Sequence, residues 1–279
     1  MKIAMLYVCT GKYEIFWDTF YNSCEMNFYK GIDKEYFVFS DNSRIQELKN
    51  NNVHVFYQAK SGWPYDTLLR FNWFCTIQDK LRKFDYCYYA NANTQFIKPT
   101  DVNIFPLPNK KNPLILGIHS HMYYDYTGVH FHPERNPKST AFISEGTECR
   151  AHCGGFWGGT SEAIITMCCE LRDRIAQDLN NGIVATWHDQ SHLTRYALEV
   201  DHYNIEKDVV SSEEYIVNDK CVIVFLNKDH FGGNNKLRQL KLNERINNFP
   251  KKVYKRLLAT MSVVHLDGLL RKIVKLVIK

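Results

Sequence analysis

The chain has 279 residues, 45% of them apolar, and a formal net charge of +5. This composition allows one large or two small folded domains and excludes a globally disordered chain. The first residues lack the ordered segments of a secretory signal, and no run of about eighteen apolar residues predicts a membrane span. The nine cysteines have neither zinc-ligand spacing nor a disulfide framework, so we expect reduced thiols in a cytoplasmic protein.

Basic charge is concentrated at the carboxyl terminus. From Lys236 onward there are twelve Lys/Arg against two Asp/Glu, so the preceding residues are net negative. Tyr254–Lys279 alternates basic residues with Leu, Val and Ile, which is typical of amphipathic helices at a membrane surface. A helix packed on its own domain is the alternative, and nucleic-acid binding is not expected because no such motif is present. We predict a folded domain over 1–239 and a basic tail over 240–279.

The first part of the chain alternates strand-like and helix-like segments. Lys2–Thr10 predicts a strand, and Ile15–Lys30 has helical spacing. Two short strands are predicted at Tyr36–Ser40 and Val53–Tyr57, and a helix is predicted over Pro64–Lys83. This alternation predicts an α/β fold with a mainly parallel sheet.

Asp85–Phe96 is the most informative segment. It predicts a buried strand followed by a turn at Asn91-Ala92-Asn93. Ligands of open α/β sheets bind beyond the carboxyl ends of strands, so both amides can face a polar ligand. Amides bind cations weakly, which predicts a polar site without metal; an asparagine-rich surface turn is the alternative. Arg70, in the preceding helix, either reaches this crevice or pairs with a surface acid.

Two segments of the second half combine small or polar residues with aromatic ones. Leu114–His119 predicts a strand, and the aromatic, histidine-containing segment after it suits a sugar or forms a surface loop. Gly154–Gly159 holds four glycines in six residues, which lets the backbone approach a ligand or a neighbouring strand.

The remaining segments are mostly helical. A helix is predicted from Thr160 or Ser161 through Asn180. In Trp187–Tyr196, an aspartate and two histidines either cap and fill a short helix or form a site. A last strand at Val222–Leu226 precedes a basic, glycine-containing loop over Lys228–Arg238 that suits a diphosphate.

The sequence Trp187-His188-Asp189-Gln190-Ser191-His192-Leu193 resembles the Trp-His-Asp-Glu-Ser-His-Leu signature of glycosyltransferase family 6, the retaining α1,3-Gal and GalNAc transferases. Other segments resemble the family in the same order: Gly11-Lys12-Tyr13, Tyr36–Asp41, Leu69-Arg70, Asn91-Ala92-Asn93 at its Asp-x-Asp, Glu134-Arg135 with Ser139–Ile143, and Gly154–Gly159. The resemblance covers about residues 1–240. It implies a GT-A fold, a single Rossmann-like nucleotide-sugar-binding domain with a mixed central sheet, and a UDP-sugar donor.

The resemblance also implies roles for individual residues. The catalytic residues would be Gln190 and Asp189. Donor or UDP contacts are expected at Val8, Cys9, Tyr13, Trp63, Arg70, Asn91, Asn93, Cys153, Gly154, Gly155, Lys228, Lys236 and Arg238. Acceptor contacts are expected at His119, Trp187 and His188.

Two departures from the family pattern change the expected chemistry. Asn91 and Asn93 stand where the family has metal-binding aspartates, so no divalent metal cofactor is expected and basic groups must stabilise the leaving diphosphate. Gln190 stands where the family has a catalytic glutamate. Glutamine is a very poor nucleophile, so the chain is a slow enzyme, an inactive variant or one that uses front-face attack.

The resemblance therefore predicts a metal-independent, retaining α1,3-N-acetylgalactosaminyltransferase, because the small Cys153 and Gly155 would leave room for a 2-acetamido group. The expected acceptor is a terminal galactoside, fucosylated or not, of an oligosaccharide or a lipid-linked bacterial glycan. The basic tail would contact the cytoplasmic face of the membrane. The alternatives are a UDP-Gal-dependent α1,3-galactosyltransferase, a catalytically impaired UDP-sugar or glycan-binding homologue, and, with least support, a nucleic-acid binder using the tail.

Overall fold

The structure is a computed structural model that describes residues 1–102, 105–119, 132–206, 208–216 and 218–238. The chain forms two units, Met1–Phe231 and Gly232–Lys279. The predicted basic tail over 240–279 and most of the aromatic segment that follows His119 lie outside the described residues.

A seven-stranded mixed sheet forms the centre of the first unit. The strands of the unit are β1 Lys2–Val8, β2 Asp33–Ser40, β3 Val53–Tyr57, β4 Tyr86–Ala90, β5 Thr94–Phe96, β6 Leu114–Ile118, β7 His152–Thr160, β8 His202–Ile205, β9 Val210–Ser212 and β10 Ile223–Phe225. The large sheet has the order β3-β2-β1-β4-β7-β6-β8, and a second sheet has the order β5-β10-β9. In the large sheet β7 is antiparallel to β4 and β6, and the other neighbouring pairs are parallel. The predicted α/β class with a mixed, mainly parallel sheet is confirmed.

The helices are α1 Trp17–Asn27, α2 Ser43–Gln46, α3 Tyr65–Leu68, α4 Arg70–Cys75, α5 Gln78–Leu81, α6 Ser161–Asn180, α7 Asp189–Ala197 and, in the second unit, α8 Gly233–Leu237. The helix predicted over Ile15–Lys30 is longer than the observed α1. A 3₁₀ turn covers Gly11–Phe16, and α1 ends before Phe28, which is extended and pairs with Thr100. The α6 prediction is confirmed, and the Thr160 hydroxyl caps it by accepting from the Ala163 backbone N–H.

The single helix predicted over Pro64–Lys83 is wrong, because the segment forms the three short helices α3, α4 and α5. The break after α4 has a local cause. The Thr76 hydroxyl donates to the Trp73 carbonyl oxygen at 2.6 Å, which competes with regular helical bonding. The basic loop predicted over Lys228–Arg238 is also wrong, because a 3₁₀ turn at Lys228–Phe231 and α8 occupy this segment.

Both faces of the large sheet are covered. On one face α4 and α6 bury Phe71, Phe74 and Ile164 against Trp157 of β7. On the other face, aromatic rings of α1 pack on Tyr7 of β1 and Tyr36 of β2; Tyr7 stacks on Phe20 with ring centroids 4.2 Å apart. The central strands β1, β4, β6 and β7 are mostly buried, so we expect ligands to bind at the strand ends. Among the described residues, no helix is both long enough and apolar enough to cross a membrane.

The glycines of β7 admit neighbouring side chains into the sheet. A Cβ atom at Gly158 would overlap the ring of Tyr88 on β4, and one at Gly159 would lie 2.6 Å from the Pro113 carbonyl oxygen. The second half of the glycine block is therefore explained by close approach of neighbouring strands, one of the two interpretations left open by the sequence.

We predict that Gly158→Ala destabilises the fold by about 1–3 kcal/mol, because the added methyl group forces the buried Tyr88 ring from its position. The measurement is the urea unfolding midpoint. Gly117→Ala is the matched control, since its Cβ would lie 3.1 Å from the Phe156 carbonyl oxygen and needs a smaller adjustment. Equal midpoints for Gly158→Ala and the unaltered chain would contradict this account.

Candidate active site

The carboxyl ends of β1, β2 and β4 converge on one edge of the sheet, and Asp41 organises the loops there. One Asp41 carboxylate oxygen accepts from the Gly11 backbone N–H at 2.7 Å. The other accepts from the Lys60 backbone N–H at 3.0 Å. Asp41, which directly follows β2, therefore holds the turn after β1 and the loop after β3 together. These two segments form one side of the crevice.

Arg70 is fully buried and lies next to this edge. Its Nη2 atom donates to Asp189 Oδ2 at 2.5 Å and to the Gly154 carbonyl oxygen at 2.8 Å. Its guanidinium carbon lies 4.3 Å from the Tyr89 ring centroid. Burial lowers the pKa of Arg70, but Asp189 and Tyr89 raise it more, so the net shift is upward and the charge is retained. The interpretation of Arg70 as a surface-paired arginine is wrong, because its partner acid is itself buried.

Tyr89 links this ion pair to the asparagine turn. Arg70 Nη1 donates to the Tyr89 hydroxyl at 2.9 Å, and that hydroxyl donates to Asn91 Oδ1 at 2.9 Å. The Asn91 backbone N–H in turn donates to the Gly155 carbonyl oxygen at 2.8 Å. The predicted turn at Asn91-Ala92-Asn93 is confirmed by the bond from the Thr94 backbone N–H to the Asn91 carbonyl oxygen at 3.0 Å.

Two glycines form the wall beside Asn91. A Cβ atom at Gly154 would overlap Asp189 Oδ2, and one at Gly155 would lie 2.8 Å from both Asn91 Nδ2 and the Phe225 ring. The first half of the glycine block therefore lets site side chains approach the backbone. The space expected at Gly155 for a 2-acetamido group is filled by Asn91 and Phe225. The neighbouring Cys153 is buried, and burial raises the pKa of its thiol to about 11.

Asn93 connects the turn to the segment that carries Lys228. Its Nδ2 atom donates to the Leu226 carbonyl oxygen at 2.8 Å, and the Leu226 backbone N–H donates back to the Asn93 carbonyl oxygen at 2.8 Å. Phe231 packs on Phe16 with ring centroids 4.6 Å apart. These contacts place Lys228 Nζ 5.6 Å from the Tyr13 ring centroid, so the two predicted donor-binding residues lie together.

Gln190 is the second residue of α7 and follows a strained position. His188 has φ 54° and ψ −126°, a conformation that is unfavourable for residues other than glycine. Its ring lies edge-on to Trp63, with centroids 4.6 Å apart. Gln190 lies next to Gly154, since a Cβ there would be 2.9 Å from Gln190 Cγ. The structure thus brings Gln190 and Asp189 to the same glycine wall.

Of the three predicted acceptor residues, His188 contacts Trp63, a predicted donor residue, whereas Trp187 and His119 lie together elsewhere. Trp187 is half-buried against Ile143, Cys149 and Ala151, and its indole N–H donates to the His132 carbonyl oxygen at 2.9 Å. The His119 backbone N–H donates to the Ala151 carbonyl oxygen at 2.9 Å, so both residues border the same small apolar cluster.

Glu134 attaches its segment to the start of this turn. One oxygen of its carboxylate accepts from the Thr186 backbone N–H at 2.7 Å, and the other accepts from the Asn136 backbone N–H at 2.7 Å. Arg135 Nη1 donates to the Ile143 carbonyl oxygen at 2.5 Å. In the described residues this Glu-Arg pair therefore organises the backbone next to Trp187.

Two predicted donor residues, Val8 and Cys9, pack into the interior of the first unit. Val8 packs on the large core, and the Cys9 thiol is buried, with its pKa raised to about 12 by that burial. The Cys9 backbone N–H donates to the Phe39 carbonyl oxygen, and the Cys9 carbonyl oxygen accepts from the Ser40 hydroxyl, so its contact with a donor stays a prediction. Lys236 and Arg238 belong to the second unit, so their role stays a prediction.

The residues at the asparagine turn do not fit a divalent cation. Both asparagines offer neutral oxygens, and Asn91 Oδ1 already accepts from Tyr89. Within the described ranges, no group of three or more His, Cys, Asp or Glu side chains is arranged to hold a metal ion. Hard cations select carboxylate-rich oxygen sites, which this turn does not provide.

Sequence reasoning missed Tyr89 and Phe225. Tyr89 had a detectable signal, because it lies two residues before Asn91, and residues two apart share one face of a strand. Phe225 had none, since its position over Gly155 depends on the pairing of β10 with β5.

We predict that Asp189→Leu destabilises the protein by about 3–5 kcal/mol, because it leaves the buried Arg70 charge without a compensating partner. Unfolding in urea measures the effect. The double variant Arg70→Met with Asp189→Leu should recover much of the loss, since both charges are then replaced by apolar groups. A double variant that is less stable than Asp189→Leu alone would refute the ion-pair account.

Two buried histidines predict loss of stability in acid. Burial lowers the pKa of His192 from 6.5 to about 4, although Asp178 at 3.7 Å opposes the shift, and burial lowers the pKa of His152 to about 4 as well. The unfolded chain then binds these protons more readily than the folded one. The stabilisation is complete above pH 6.5 and is lost as the pH falls toward 4, by about 1.4 kcal/mol per pH unit for each histidine.

The measurement is urea unfolding at a series of pH values. His152→Gln removes one titrating group. The slope of the free energy of unfolding against pH should therefore be lower in this variant by the contribution of one proton. An unchanged slope in this variant would show that His152 is not held neutral by the fold.

The chain matches one family of known proteins. The family model described as Glycosyltransferase family 6 matches residues 1–227. The chain is 32% identical over 215 residues to the O-antigen biosynthesis glycosyltransferase WbnI of Escherichia coli, covering 77% of this chain and 87% of that protein.

Two animal proteins are also similar. Globoside alpha-1,3-N-acetylgalactosaminyltransferase 1 of Homo sapiens is 25% identical over 230 residues, and Histo-blood group ABO system transferase 1 of Rattus norvegicus is 25% identical over 227 residues. Each alignment covers 79% of this chain and 62% of the animal protein. Because the family model matches residues 1–227 and WbnI is 32% identical over most of both chains, this chain, with its mixed GT-A-like sheet, is a member of glycosyltransferase family 6 and a hexosyltransferase.

Proposed function

We propose that the protein transfers N-acetylgalactosamine from UDP-GalNAc to the 3-position of a terminal galactoside, with retention of configuration and without a divalent metal. The observation that carries this proposal is the convergence of the Asn91–Asn93 turn, Gln190 and the glycine wall in a family 6 chain. The nucleotide would bind over the strand ends between Tyr13 and Arg70, and the galactoside would approach from the side of Trp187 and His119.

The choice of GalNAc rests on the relatives and on one residue of the wall. The similar globoside enzyme is named an N-acetylgalactosaminyltransferase. Because Asn91 and Phe225 cover Gly155, the size argument for an acetamido group now depends on the modest side chain of Cys153. A UDP-Gal-dependent α1,3-galactosyltransferase is the alternative within the same class.

Departure of UDP requires positive charge or hydrogen-bond donors near the diphosphate, because negative charge develops on the leaving oxygen. Lys228 is the nearest candidate on the described crevice, and the amide groups of Asn91 and Asn93 are the neutral ones. Lys236 and Arg238 are further candidates. The turn does not fit a divalent metal, so every contribution to leaving-group stabilisation in this proposal comes from the protein's own groups.

Gln190, whose Cγ atom lies next to Gly154, would act through its amide carbonyl oxygen, which would face the anomeric carbon as positive charge builds there. A dipole in place of a carboxylate raises the barrier by about 2–4 kcal/mol, by analogy with the loss of one electrostatic contact. The acceptor hydroxyl would attack on the face from which UDP departs, which retains the configuration without a covalent intermediate. The presence of Gln190 where the family has a glutamate also motivates the second candidate, a catalytically impaired protein that binds UDP-sugars.

The acceptor is proposed to be a lipid-linked or free bacterial oligosaccharide at the cytoplasmic face of the membrane, contacted by the basic tail. The named function of the E. coli relative, O-antigen biosynthesis, supports a surface glycan. Deleting residues 240–279 should release the protein from the membrane fraction of lysed cells. Unchanged membrane association of the truncated chain would reject the tail as the anchor.

The central test incubates the full chain with UDP-GalNAc or UDP-Gal, a panel of galactosides and EDTA. We expect an α1,3-linked GalNAc product, identified by NMR, and a kcat that rises about a hundredfold in Gln190→Glu, because a charged stabiliser is restored. Abolition of turnover by EDTA would reject metal independence, and preference for UDP-Gal would reject the donor. UDP binding without product would establish the impaired homologue.

The two asparagines should respond differently to aspartate. Asn93→Asp removes the hydrogen bond to the Leu226 carbonyl oxygen. It also places a carboxylate oxygen next to that carbonyl oxygen, so that two acceptors face each other. We expect this variant to be less stable by about 1–3 kcal/mol. Asn91→Asp keeps the Tyr89 bond, so stability is retained, but its negative charge beside the diphosphate weakens UDP binding in EDTA. Melting temperatures and calorimetric UDP titrations measure both effects. Equal stability of the two variants would contradict the assignment of Asn93 as the link to Leu226.

A further inference from the structure

The Tyr89 hydroxyl occupies the point between the buried arginine and the asparagine turn. It accepts from Arg70 Nη1 at 2.9 Å and donates to Asn91 Oδ1 at 2.9 Å. The ring cannot turn away easily, because it stacks on Trp157 with centroids 4.8 Å apart and carries the Arg70 guanidinium 4.3 Å from its centre. No motif in the sequence and no role in the proposed mechanism accounts for this hydroxyl.

Donor and acceptor chemistry fixes the direction of the chain of hydrogen bonds. A guanidinium has only donors, so the Tyr89 oxygen must accept from Arg70 and its single proton must go elsewhere. That proton goes to Asn91, and Asn91 must therefore turn its carbonyl oxygen, not its NH₂ group, toward Tyr89. The orientation of the Asn91 amide thus follows from the charge of Arg70 rather than from the fit of the amide alone.

The consequence is a defined position for the Asn91 NH₂ group. It lies on the side away from Tyr89, over Gly155 and Phe225, where a Cβ on Gly155 would be 2.8 Å from Nδ2. Asn91 is half-buried and directly follows β4, at the edge of the sheet where the proposed function places the diphosphate.

We propose that Tyr89 is a positioning residue that holds the Asn91 carboxamide with its NH₂ group presented to the diphosphate of the sugar nucleotide. This inference rests on the proposed function, because it names the group that the oriented donor serves. Without the Tyr89 hydroxyl, the amide is free to flip and to present its carbonyl oxygen to the phosphate oxygens, which repels them. Tyr89 then contributes to donor binding without touching the donor.

The experiment compares Tyr89→Phe with Tyr88→Phe by calorimetric titration of UDP in EDTA. Both variants lose one hydroxyl from the same strand, but neighbouring residues face opposite sides of a sheet. We expect Tyr89→Phe to weaken UDP binding by about three- to tenfold, the range of one hydrogen bond, and Tyr88→Phe to leave it unchanged. In transfer assays the KM for the donor should rise while the KM for the galactoside stays constant.

A double-mutant cycle separates positioning from a purely structural role. If Tyr89 acts through Asn91, Tyr89→Phe should have no further effect on UDP affinity in the Asn91→Ala background. Additive losses in the cycle, or equal UDP affinity of Tyr89→Phe and the unaltered protein, would overturn the proposal. Melting temperatures show whether either tyrosine variant has lost its fold.

Failure of the proposed function has a different signature. If the unaltered chain binds no UDP, the function itself is rejected before any variant is compared. If the unaltered chain binds UDP and transfers GalNAc, but the losses in the Tyr89→Phe and Asn91→Ala cycle are additive, the proposed function is supported and the positioning role of Tyr89 is rejected.

Discussion

The guanidinium group of Arg70 is a buried charge, and its N–H groups form hydrogen bonds to three elements of the candidate site. A buried charge is tolerated in a core when it is paired and hydrogen-bonded, and both Nη atoms of Arg70 have such partners. Its acceptors come from three elements: Asp189 from α7, the Gly154 carbonyl oxygen from β7 and the Tyr89 hydroxyl from β4. One side chain therefore sets the relative positions of Gln190, the glycine wall and the asparagine turn.

This arrangement turns the positive charge of Arg70 inward, where Asp189 balances it. Under the proposed function, the nucleotide would then rely on other groups at the strand ends, such as the charged Lys228 and the neutral amide of Asn91. Asn93 is buried and would act indirectly, because its bond to the Leu226 carbonyl oxygen holds the segment that leads to Lys228. In the proposed mechanism, the turn therefore contributes as much by holding the Lys228 segment in place as by direct contact.

The fold was largely predictable, because buried strands and α6 have strong hydrophobic periodicity that the structure confirms. The break at Thr76 and the end of α1 were not, since they depend on a side-chain bond and on pairing with Thr100. In the site, the residue types at Asn91, Asp189 and Gln190 were found from sequence. Their partners were not, because hydrogen bonds such as Arg70 to Asp189 join residues 119 positions apart.

The crowding at Gly154 and Gly155 limits how this enzyme can diversify. A wall that has no room for a methyl group cannot be adjusted by substitution at its own positions without displacing Asp189, Asn91 or Phe225. If the donor sugar binds against this wall, as proposed, a change of donor preference would require substitutions at the residues packed around the two glycines, whether it arises in nature or by design. Phe225 is one such residue, because a smaller side chain there would leave space above Gly155, and Phe225 is not a hydrogen-bond partner of Arg70.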